Sequence, residues 1–165
     1  MCDVLYSPWR LQYILSKKDD DCIFCMRPSA QNDEKHLILF RSRHSFVIMN
    51  LFPYNNGHLL AVPFKHVARL SDLTSQEIGD LFETVQLCER VLQATYSPDG
   101  LNIGLNLGRI AGAGIDAHLH VHVVPRWNGD VNFMTVAGST RVIPESFESA
   151  YQQLKEQFDK AGVEK

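Results

Sequence analysis

The sequence predicts an α+β protein with an antiparallel β-sheet of about five strands, one main helix and a C-terminal helix. Two patterns support this prediction. Short apolar runs bounded by turn residues recur along the chain and have the length and composition of strands. Between the third and fourth runs lies a long segment of helical periodicity that begins with a capping box. At 165 residues the chain is one domain by length, and it is large enough to bury a core.

Five segments are predicted to be strands, namely residues 37–40, 46–50, 58–66, 101–107 and 118–124. The first two flank a turn-like segment, and the turn sequence PYNNG precedes the third. Pro63 lies within the third strand, which indicates either an edge position or the end of that strand.

The helices follow from periodicity and capping signals. The capping box at residues 74–77 begins a helix that continues to about Thr95. Cys88 lies on the apolar stripe of this helix and is interpreted as a small buried hydrophobic residue. Pro144 predicts the start of the last helix. The aromatic-rich residues 7–14 are predicted to pack as an N-terminal arm or a short helix.

The composition excludes several classes of partner. Hydrophobic residues make up 45% of the chain and charged residues 21%, as is ordinary for a globular protein. A net charge of −3 gives no electrostatic reason to expect a nucleic-acid polymer as partner. No apolar run approaches the roughly 18 residues of a membrane span, and the N-terminal residues lack the pattern of a signal peptide. The sequence therefore predicts a cytoplasmic protein without membrane contact.

Three histidines at strict alternation, His118, His120 and His122, form the most informative pattern, here called the triad. Alternation is the period of a strand, so the three imidazoles are predicted to leave one face of the sheet. Three histidines in a core would be costly without polar partners, which favours a functional site. Because His118 and His122 start about 13 Å apart, they cannot share one metal ion, and the roles must differ. The glycine-rich residues 104–114 favour an anionic ligand such as phosphate.

Cys22 and Cys25 form a C-x-x-C motif, whose spacing allows both thiolates to reach one zinc ion. Thioredoxin-like redox chemistry is the alternative, but a redox motif ordinarily caps a helix that follows a strand. No strand-like run precedes Cys22. A closed zinc site needs two further ligands, and the candidates are His36, His44, His58, His66 and the triad.

The segment HLHVHVVPRW resembles the signature of the histidine triad (HIT) superfamily, in which H-x-H-x-H is followed by apolar residues. The resemblance covers about residues 22–136 and implies a HIT-like fold within a single HIT domain. In that family the middle histidine attacks the α-phosphorus of a nucleotide and forms a nucleotidyl-histidine intermediate. Motif match gives this role to His120, with His118 and His122 as further catalytic candidates. The flanking AGAG and PRWNGDVNF are most similar to the branch of diadenosine tetraphosphate phosphorylases and related hydrolases.

The resemblance also implies a cofactor and an assembly. Branches with this C-x-x-C complete a structural zinc site with the histidine that ends the third strand and with the first triad histidine. Here those residues are His66 and His118, joining Cys22 and Cys25. No organic cofactor is expected. The partner is a nucleotide, and the family suggests a homodimer with a continuous sheet.

Further residues are assigned to the nucleoside. Asn50 matches the family position that binds ribose hydroxyls, and His58 matches a motif histidine near the phosphorus. The apolar wall against a base is predicted to comprise Phe24, Met49 and Leu51. Ordinary core packing explains Met49 and Leu51 equally well.

The phosphoryl group needs donors that neutralise its charge. His122 and Asn106 are suited to this, together with the backbone N–H groups of Gly112, Ala113 and Gly114. Trp127 has three possible roles, which are to cover the second nucleotide, to shape the acceptor site or to anchor the tail. Arg109 and Arg126 are candidate cations for a second anion, which tilts the prediction toward phosphate rather than water as acceptor.

The leading hypothesis is an enzyme that cleaves a phosphoanhydride of dinucleoside polyphosphates through His120. Three alternatives stay open: a nucleotide-binding regulatory module with vestigial activity, a nucleoside phosphoramidase-like hydrolase, and a zinc-dependent hydrolase with an H-x-H pair as catalytic ligands. Turnover in the presence of EDTA would separate the first hypothesis from the last.

Overall fold

The computed structural model describes residues 22–131, 133–138 and 142–162. Its strands are β1 (Ile38–Arg41), β2 (Ser45–Met49), β3 (Leu59–Pro63), β4 (Gly100–Gly104) and β5 (Val121–Arg126). Its helices are α1 (Ile23–Ser29), α2 (Asp33–His36), α3 (Ser75–Tyr96), α4 (Phe133–Gly138) and α5 (Phe147–Gly162). Single 3-10 turns occur at Leu70–Asp72 and Arg109–Ala111. The predicted N-terminal arm at residues 7–14 lies outside the described residues.

The sheet is antiparallel throughout and has the strand order β1-β2-β3-β5-β4. The predicted five-stranded α+β architecture is confirmed. β3 pairs with β5, so that Leu60 lies opposite His122. On its other side, His122 lies opposite Gly104 of the edge strand β4. The pairing of β3 with β5 joins two parts of the chain that α3 separates in sequence.

β3 ends earlier than predicted and β5 begins later than predicted. These two ends lie next to each other in the antiparallel sheet. β3 ends at Pro63, which has no N–H group for a further ladder hydrogen bond. β5 begins only at Val121. Just before it, Leu119 donates its N–H to the carbonyl oxygen of Val67 at 2.7 Å, outside the ladder. Of the triad, only His122 therefore lies in the strand.

The two long helices begin at side-chain caps. The Thr74 hydroxyl accepts from the Glu77 N–H, and the Glu77 carboxylate accepts from the Thr74 N–H, which is the predicted capping box. α5 begins after Ser146, whose hydroxyl accepts from the Ser149 N–H at 3.2 Å, and not at Pro144 as predicted. The helices α1 and α2 were not predicted, because such short segments show no extended apolar periodicity. Among the described residues, no helix combines the length and the apolar character that a bilayer crossing requires.

The sheet buries apolar residues on both faces. On one face, Val47 and Met49 of β2 pack with α3 and α5 in the helix-side cluster. On the other face, Phe46 and Ile48 pack with Phe24 of α1 in the α1-side cluster. Leu60 belongs to the α1-side cluster, and directly paired residues share a face. His122, which pairs with Leu60, therefore lies on the α1 side of the sheet.

Candidate functional site

Three imidazoles meet where β3 pairs with β5. His58 immediately precedes β3, His120 immediately precedes β5, and His122 lies within β5. His58 Nε2 and His122 Nδ1 are 3.0 Å apart, and the ring centroids of His120 and His122 are 5.0 Å apart. The strand pairing thus brings together three histidines that the sequence assigned to one site.

The hydrogen bond of His120 determines which ring nitrogen carries its proton. Nδ1 lies 2.8 Å from the backbone carbonyl oxygen of His118, which can only accept, so Nδ1–H donates. In the neutral ring Nε2 then keeps its lone pair. Burial lowers the pKa of His120, which favours this neutral ring at neutral pH. A neutral imidazole with a free Nε2 has the form that a nucleophile needs.

The protonated nitrogen of His122 follows from a chain of two hydrogen bonds. The backbone N–H of Tyr54 donates to His58 Nδ1 at 3.0 Å, so in the neutral ring of His58 the proton is on Nε2. His58 Nε2–H donates to His122 Nδ1. His122 therefore carries its own proton on Nε2. It can offer an uncharged N–H donor to a phosphoryl oxygen beside His120.

Both members of the His58–His122 pair are held neutral. Burial lowers the pKa of His58 to about 3, with smaller contributions from His122 and His120. Burial likewise lowers the pKa of His122 to about 4, and His120 adds to the effect. Charging either ring would place a cation in a desolvated cluster without a carboxylate partner among the contacts named above. At neutral pH the pair therefore works through hydrogen bonds and not through charge.

We expect the protein to lose stability as the pH falls from about 6.5 toward 4. In this range the unfolded chain binds protons at His58 and His122 that the folded protein does not bind, so acid lowers the free energy of unfolding. The variant His58→Gln should show a shallower decline, because one of these groups is gone. Urea denaturation midpoints across this pH range provide the measurement. His36→Gln, outside the cluster, should keep the wild-type slope, and an unchanged slope in His58→Gln would contradict the assignment.

The turn that precedes β3 is fixed by neighbouring elements. Asn55 is buried and donates to the carbonyl oxygen of Pro125 at 3.1 Å and to the carboxylate of Asp130 at 2.9 Å. Gly57 has a φ of +69°, and a Cβ at this position would lie 2.8 Å from the ring of Tyr96. Only glycine satisfies both the left-handed backbone and this close approach. The turn is thus preorganised before any ligand binds.

A second cluster lies beside the first and contains two thiols and two imidazoles. His118 Nδ1 is 3.3 Å from Cys22 Sγ, and His66 Nδ1 is 3.3 Å from Cys25 Sγ. The four ligand atoms all lie within 4.8 Å of one another. His118 Nε2–H donates to the carbonyl oxygen of Pro63 at 2.9 Å, which leaves the Nδ1 lone pair directed at the thiols. This donor set and its spacing fit a closed tetrahedral zinc site, with the four residues that the resemblance implied.

The C-x-x-C motif caps a helix, since Cys22 is the N-cap of α1. The sequence criterion for a redox motif was a helix that follows a strand, and the residues before Cys22 lie outside the described part of the chain. The helix alone does not separate the two chemistries, whereas the two adjacent histidines favour metal. Phe24, between the cysteines, is 2% exposed. Its ring centroid lies 5.4 Å from that of His118 and 5.2 Å from that of His120. Phe24 therefore packs against these imidazoles and does not form an open wall for a base.

Residues 49–51, all assigned to the nucleoside, lie in different environments. Met49 belongs to the helix-side cluster, on the opposite face of the sheet from His122, so core packing accounts for it. Asn50 Nδ2 lies 3.2 Å from His58 Nδ1, and Asn50 Oδ1 accepts from the N–H of Phe52. Leu51 is 41% exposed. Asn50 is thus within hydrogen-bonding distance of a site histidine, and Leu51 is exposed beside it.

The glycine-rich loop uses its own backbone donors. The N–H of Gly112 donates to the carbonyl oxygen of Arg109 at 3.1 Å, and the N–H of Ala113 donates to that of Gly108 at 3.4 Å. Gly114 also has a contact within the protein. The N–H groups of Gly112 and Ala113, which were predicted to meet phosphate, donate within the loop in this conformation. Asn106 lies alongside, with Nδ2 3.8 Å from the Cβ position of Gly112.

Arg126 and Trp127 are held by Asp130. Arg126 donates from Nε and from a terminal nitrogen to the Asp130 carboxylate, at 2.5 and 3.0 Å, and also to Asn102 Oδ1 at 2.7 Å. The Trp127 N–H donates to the same carboxylate at 3.4 Å. Arg126 ends β5, about 13 Å beyond His122 along the strand direction, and Trp127 follows it outside the strand. In this structure Arg126 is therefore engaged with Asp130 and Asn102, and its contact with a second anion stays a prediction.

Two backbone groups that shape the site were not predicted, namely the N–H of Tyr54 and the carbonyl of His118. Backbone groups have no residue-type signal. Only position could have indicated them, since Tyr54 lies four residues before His58 in a tight turn, and His118 lies two residues before His120.

Comparisons with known proteins agree with this geometry. A sequence model of the HIT domain family matches residues 31–129. The chain is 41% identical over 150 residues to a Mycobacterium tuberculosis protein named AP-4-A phosphorylase, which covers 86% of this chain and 76% of that protein. It is 38% identical over 93 residues to the asymmetrical bis(5'-nucleosyl)-tetraphosphatase of Schizosaccharomyces pombe, covering 56% of this chain and 50% of the relative. A Zn-bound histidine triad family protein from Mycobacterium smegmatis superposes with a TM-score of 0.70 at 25% identity, over 88% of this chain and 98% of that one. The chain therefore belongs to the HIT family.

Proposed function

We propose that this protein cleaves a phosphoanhydride bond of dinucleoside polyphosphates such as diadenosine tetraphosphate, through a nucleotidyl-His120 intermediate. The observation that most supports this proposal is the hydrogen bond from His120 Nδ1–H to the His118 carbonyl. It leaves the Nε2 lone pair available in a buried, neutral ring. The two enzymes among the relatives named above act on substrates of this class by their names, which supports the proposal.

The reaction proceeds in two displacements. In the first, the Nε2 lone pair of His120 forms a bond to the α-phosphorus while the bond from phosphorus to the departing polyphosphate oxygen breaks. His122 donates its Nε2–H to the oxygen that gains negative charge. In the second, the acceptor oxygen bonds to phosphorus and the N–P bond breaks, which restores His120. Dividing the reaction in this way replaces one difficult displacement with two easier ones.

The remaining site residues are proposed to hold the nucleotide. Asn50, beside His58, is placed to reach the ribose, and Leu51 is exposed next to it as an apolar contact for the base. Asn106 lies by the glycine-rich loop and faces the phosphate chain in this proposal. Trp127, directly after β5, is proposed to meet the second nucleoside or to shape the acceptor site.

A structural zinc ion is proposed at Cys22, Cys25, His66 and His118. The distances among these four side chains and the zinc in the M. smegmatis relative support it. A bound zinc would supply a cross-link between α1 and the segment before β5. His118 takes part in no phosphorus chemistry in this proposal, because its Nδ1 faces the thiols and its Nε2–H is given to Pro63.

Phosphate is proposed as the acceptor, which would make the protein a phosphorylase. The 41% identity to the protein named AP-4-A phosphorylase supports this choice. Arg126 is engaged with Asp130, so Arg109 in the loop before the triad is left as the proposed cation for the incoming phosphate.

Product identity tests the acceptor. In millimolar phosphate, diadenosine tetraphosphate should yield ADP and ATP, because the oxygen of phosphate closes the second step. Mass spectrometry of products with and without added phosphate provides the measurement. Appearance of AMP and ATP at every phosphate concentration would make the protein a hydrolase and would refute the phosphate site. Arg109→Ala should raise the phosphate concentration that half-saturates ADP formation, and Arg43→Ala, in the turn between β1 and β2, is the matched control.

Two alternatives have specific consequences. A regulatory module with vestigial activity would bind nucleotide without accumulating products, and a phosphoramidase-like hydrolase would prefer a nucleoside phosphoramidate over the dinucleotide. A zinc hydrolase with an H-x-H pair as ligands is not favoured, because the Nδ1 atom of His120 is given to a backbone carbonyl while that of His118 faces the cysteines.

A homodimer is proposed, with β4 as the contact strand. β4 is an edge strand, and its Ile103 is 46% exposed. A groove of about 680 Å³ lies between β4 and the C-terminal part of α3, lined by residues that include Arg90, Pro98 and Leu101. An edge strand with an apolar side chain beside a groove is suited to pairing with a second copy. A cytoplasmic location stays a prediction of the sequence.

A further inference from the structure

Tyr54 contacts both members of the His58–His122 pair. Its ring centroid lies 4.7 Å from that of His58 at an interplanar angle of 39°. It lies 5.7 Å from that of His122, and the two rings are nearly parallel at 21°. Both distances fall in the range of aromatic ring contacts, and the contact with His122 is stacked while that with His58 is tilted. The same residue gives its backbone N–H to His58 Nδ1, so that ring and backbone act on one pair of imidazoles.

The ring of Tyr54 lies between the histidines and solvent. Tyr54 is 47% exposed, whereas His58 beneath it is 2% exposed. Since one side of the tyrosine ring rests on the imidazoles, that side shields them from water.

The orientation of His122 needs more than its hydrogen bond to His58. The two side-chain torsions of His122 set its ring plane, and the His χ2 torsion is broad, so one hydrogen bond at Nδ1 restrains that plane only within the tolerance of hydrogen-bond distance and angle. The direction of the Nε2–H depends on that plane. His120 contacts His122 edge to face at 66°, and Tyr54 stacks on it almost parallel. Together with the tilted ring contact to His58 at 43°, these two contacts restrain the plane of the His122 ring.

We propose that Tyr54 is a positioning residue, whose stacked ring sets the plane of His122 so that Nε2–H points at the phosphoryl group. Its backbone N–H sets the proton position of the pair, and its ring sets the direction of the donor. This inference rests on the proposed function, in which His122 donates to the oxygen that gains charge. Tyr54 touches neither the substrate nor the reacting atoms in this role.

The variant Tyr54→Leu separates ring from backbone, because leucine keeps the N–H and an apolar side chain but removes the stacked ring. We expect kcat with diadenosine tetraphosphate to fall about tenfold or more, since a small misorientation of a catalytic donor is costly, while KM stays within about twofold. Tyr54→Phe keeps the ring and should recover kcat to within about threefold of wild type. Phe52→Leu, at another exposed aromatic residue of the same turn, is the matched control for the loss of a ring.

Nuclear magnetic resonance of the imidazole nitrogens gives a readout that a merely structural role would not move. In wild type, His122 should show a single form with the proton on Nε2, and in Tyr54→Leu this signal should shift or broaden while thermal unfolding is little changed. A wild-type kcat and imidazole spectrum in Tyr54→Leu would overturn the inference. A rise in KM with unchanged kcat would also overturn it, because Tyr54 would then contact the substrate.

Failure of the proposed function is distinguishable. If wild type forms no nucleotidyl-enzyme and turns over no dinucleotide, the proposed function fails, and the imidazole spectra of the variants still decide whether Tyr54 orients His122. If wild type is active and Tyr54→Phe is as impaired as Tyr54→Leu, the hydroxyl group and not the stacked ring is responsible, and the inference alone fails.

Discussion

Replacement of His120 by alanine or asparagine is expected to lower turnover on the order of a thousandfold or more while nucleotide binding persists. The reason is that no other imidazole nitrogen is available to replace it. The Nδ1 atom of His118 faces the cysteines, and the Nδ1 atom of His122 accepts from His58. Because Nε2 of His122 carries its proton, that atom has no lone pair to offer in the neutral ring.

The measurement is turnover of diadenosine tetraphosphate together with mass spectrometry of the protein after rapid acid quenching. Wild type should gain the mass of one nucleotidyl group, and the His120 variants should not. His36→Gln, at a histidine outside the cluster, serves as the control for a lost histidine. A His120 variant that keeps a tenth of wild-type activity would remove this residue from the role of nucleophile.

The second large effect concerns the cysteines. Protein purified without chelator should contain one zinc per chain, and Cys22→Ser should lose it. Structural zinc sites contribute much of the folding free energy of small metal-dependent domains. Here the fold also has two apolar clusters, so we expect a loss of several kcal/mol and a decrease of roughly 10 °C or more in the melting temperature. Chemistry at permissive temperature should change less than stability.

Calorimetry and elemental analysis of the same samples test this expectation. Cys88→Ala is the matched control, because Cys88 is buried within α3 and lies in the helix-side cluster, so that this variant should keep its zinc. Chelation of wild type should lower the melting temperature to that of Cys22→Ser and leave Cys22→Ser itself unchanged. Wild-type protein without zinc would refute the site.

Much of the fold was accessible from the sequence, because strand length and helical periodicity are local properties. The capping box of α3 was predicted to the residue. The ends of β3 and β5 were not, since they depend on where two distant segments cease to pair. Pro63 indicated in the sequence where β3 ends. No residue type indicated that Leu119 would hydrogen-bond to Val67 outside the sheet, which delays the start of β5.

The parts of the candidate site that depend on residue type could be predicted from the sequence. The parts that depend on how side chains are oriented in the folded protein could not. The cysteines and histidines of the metal cluster could be named from their spacing and the resemblance. Met49 and Asn50 were both assigned to the nucleoside, although adjacent residues of a predicted strand face opposite sides of the sheet and cannot both line one site. If Asn50 faces the histidines, Met49 must face the helices. The proton positions depend on carbonyl and N–H groups that only the folded chain brings near the rings.

The pairing of β3 with β5 has a consequence for how the protein folds. His58 and His122 are 64 residues apart, and Cys22 and His118 are 96 apart. Contacts of this separation form slowly, since a long loop must close before they are gained. A helix such as α3 forms from local contacts and needs no such closure. His120 and His122 lie where β5 pairs with β3. During refolding from denaturant, the circular-dichroism signal of the helices should therefore return first, and activity should return only when β5 pairs with β3.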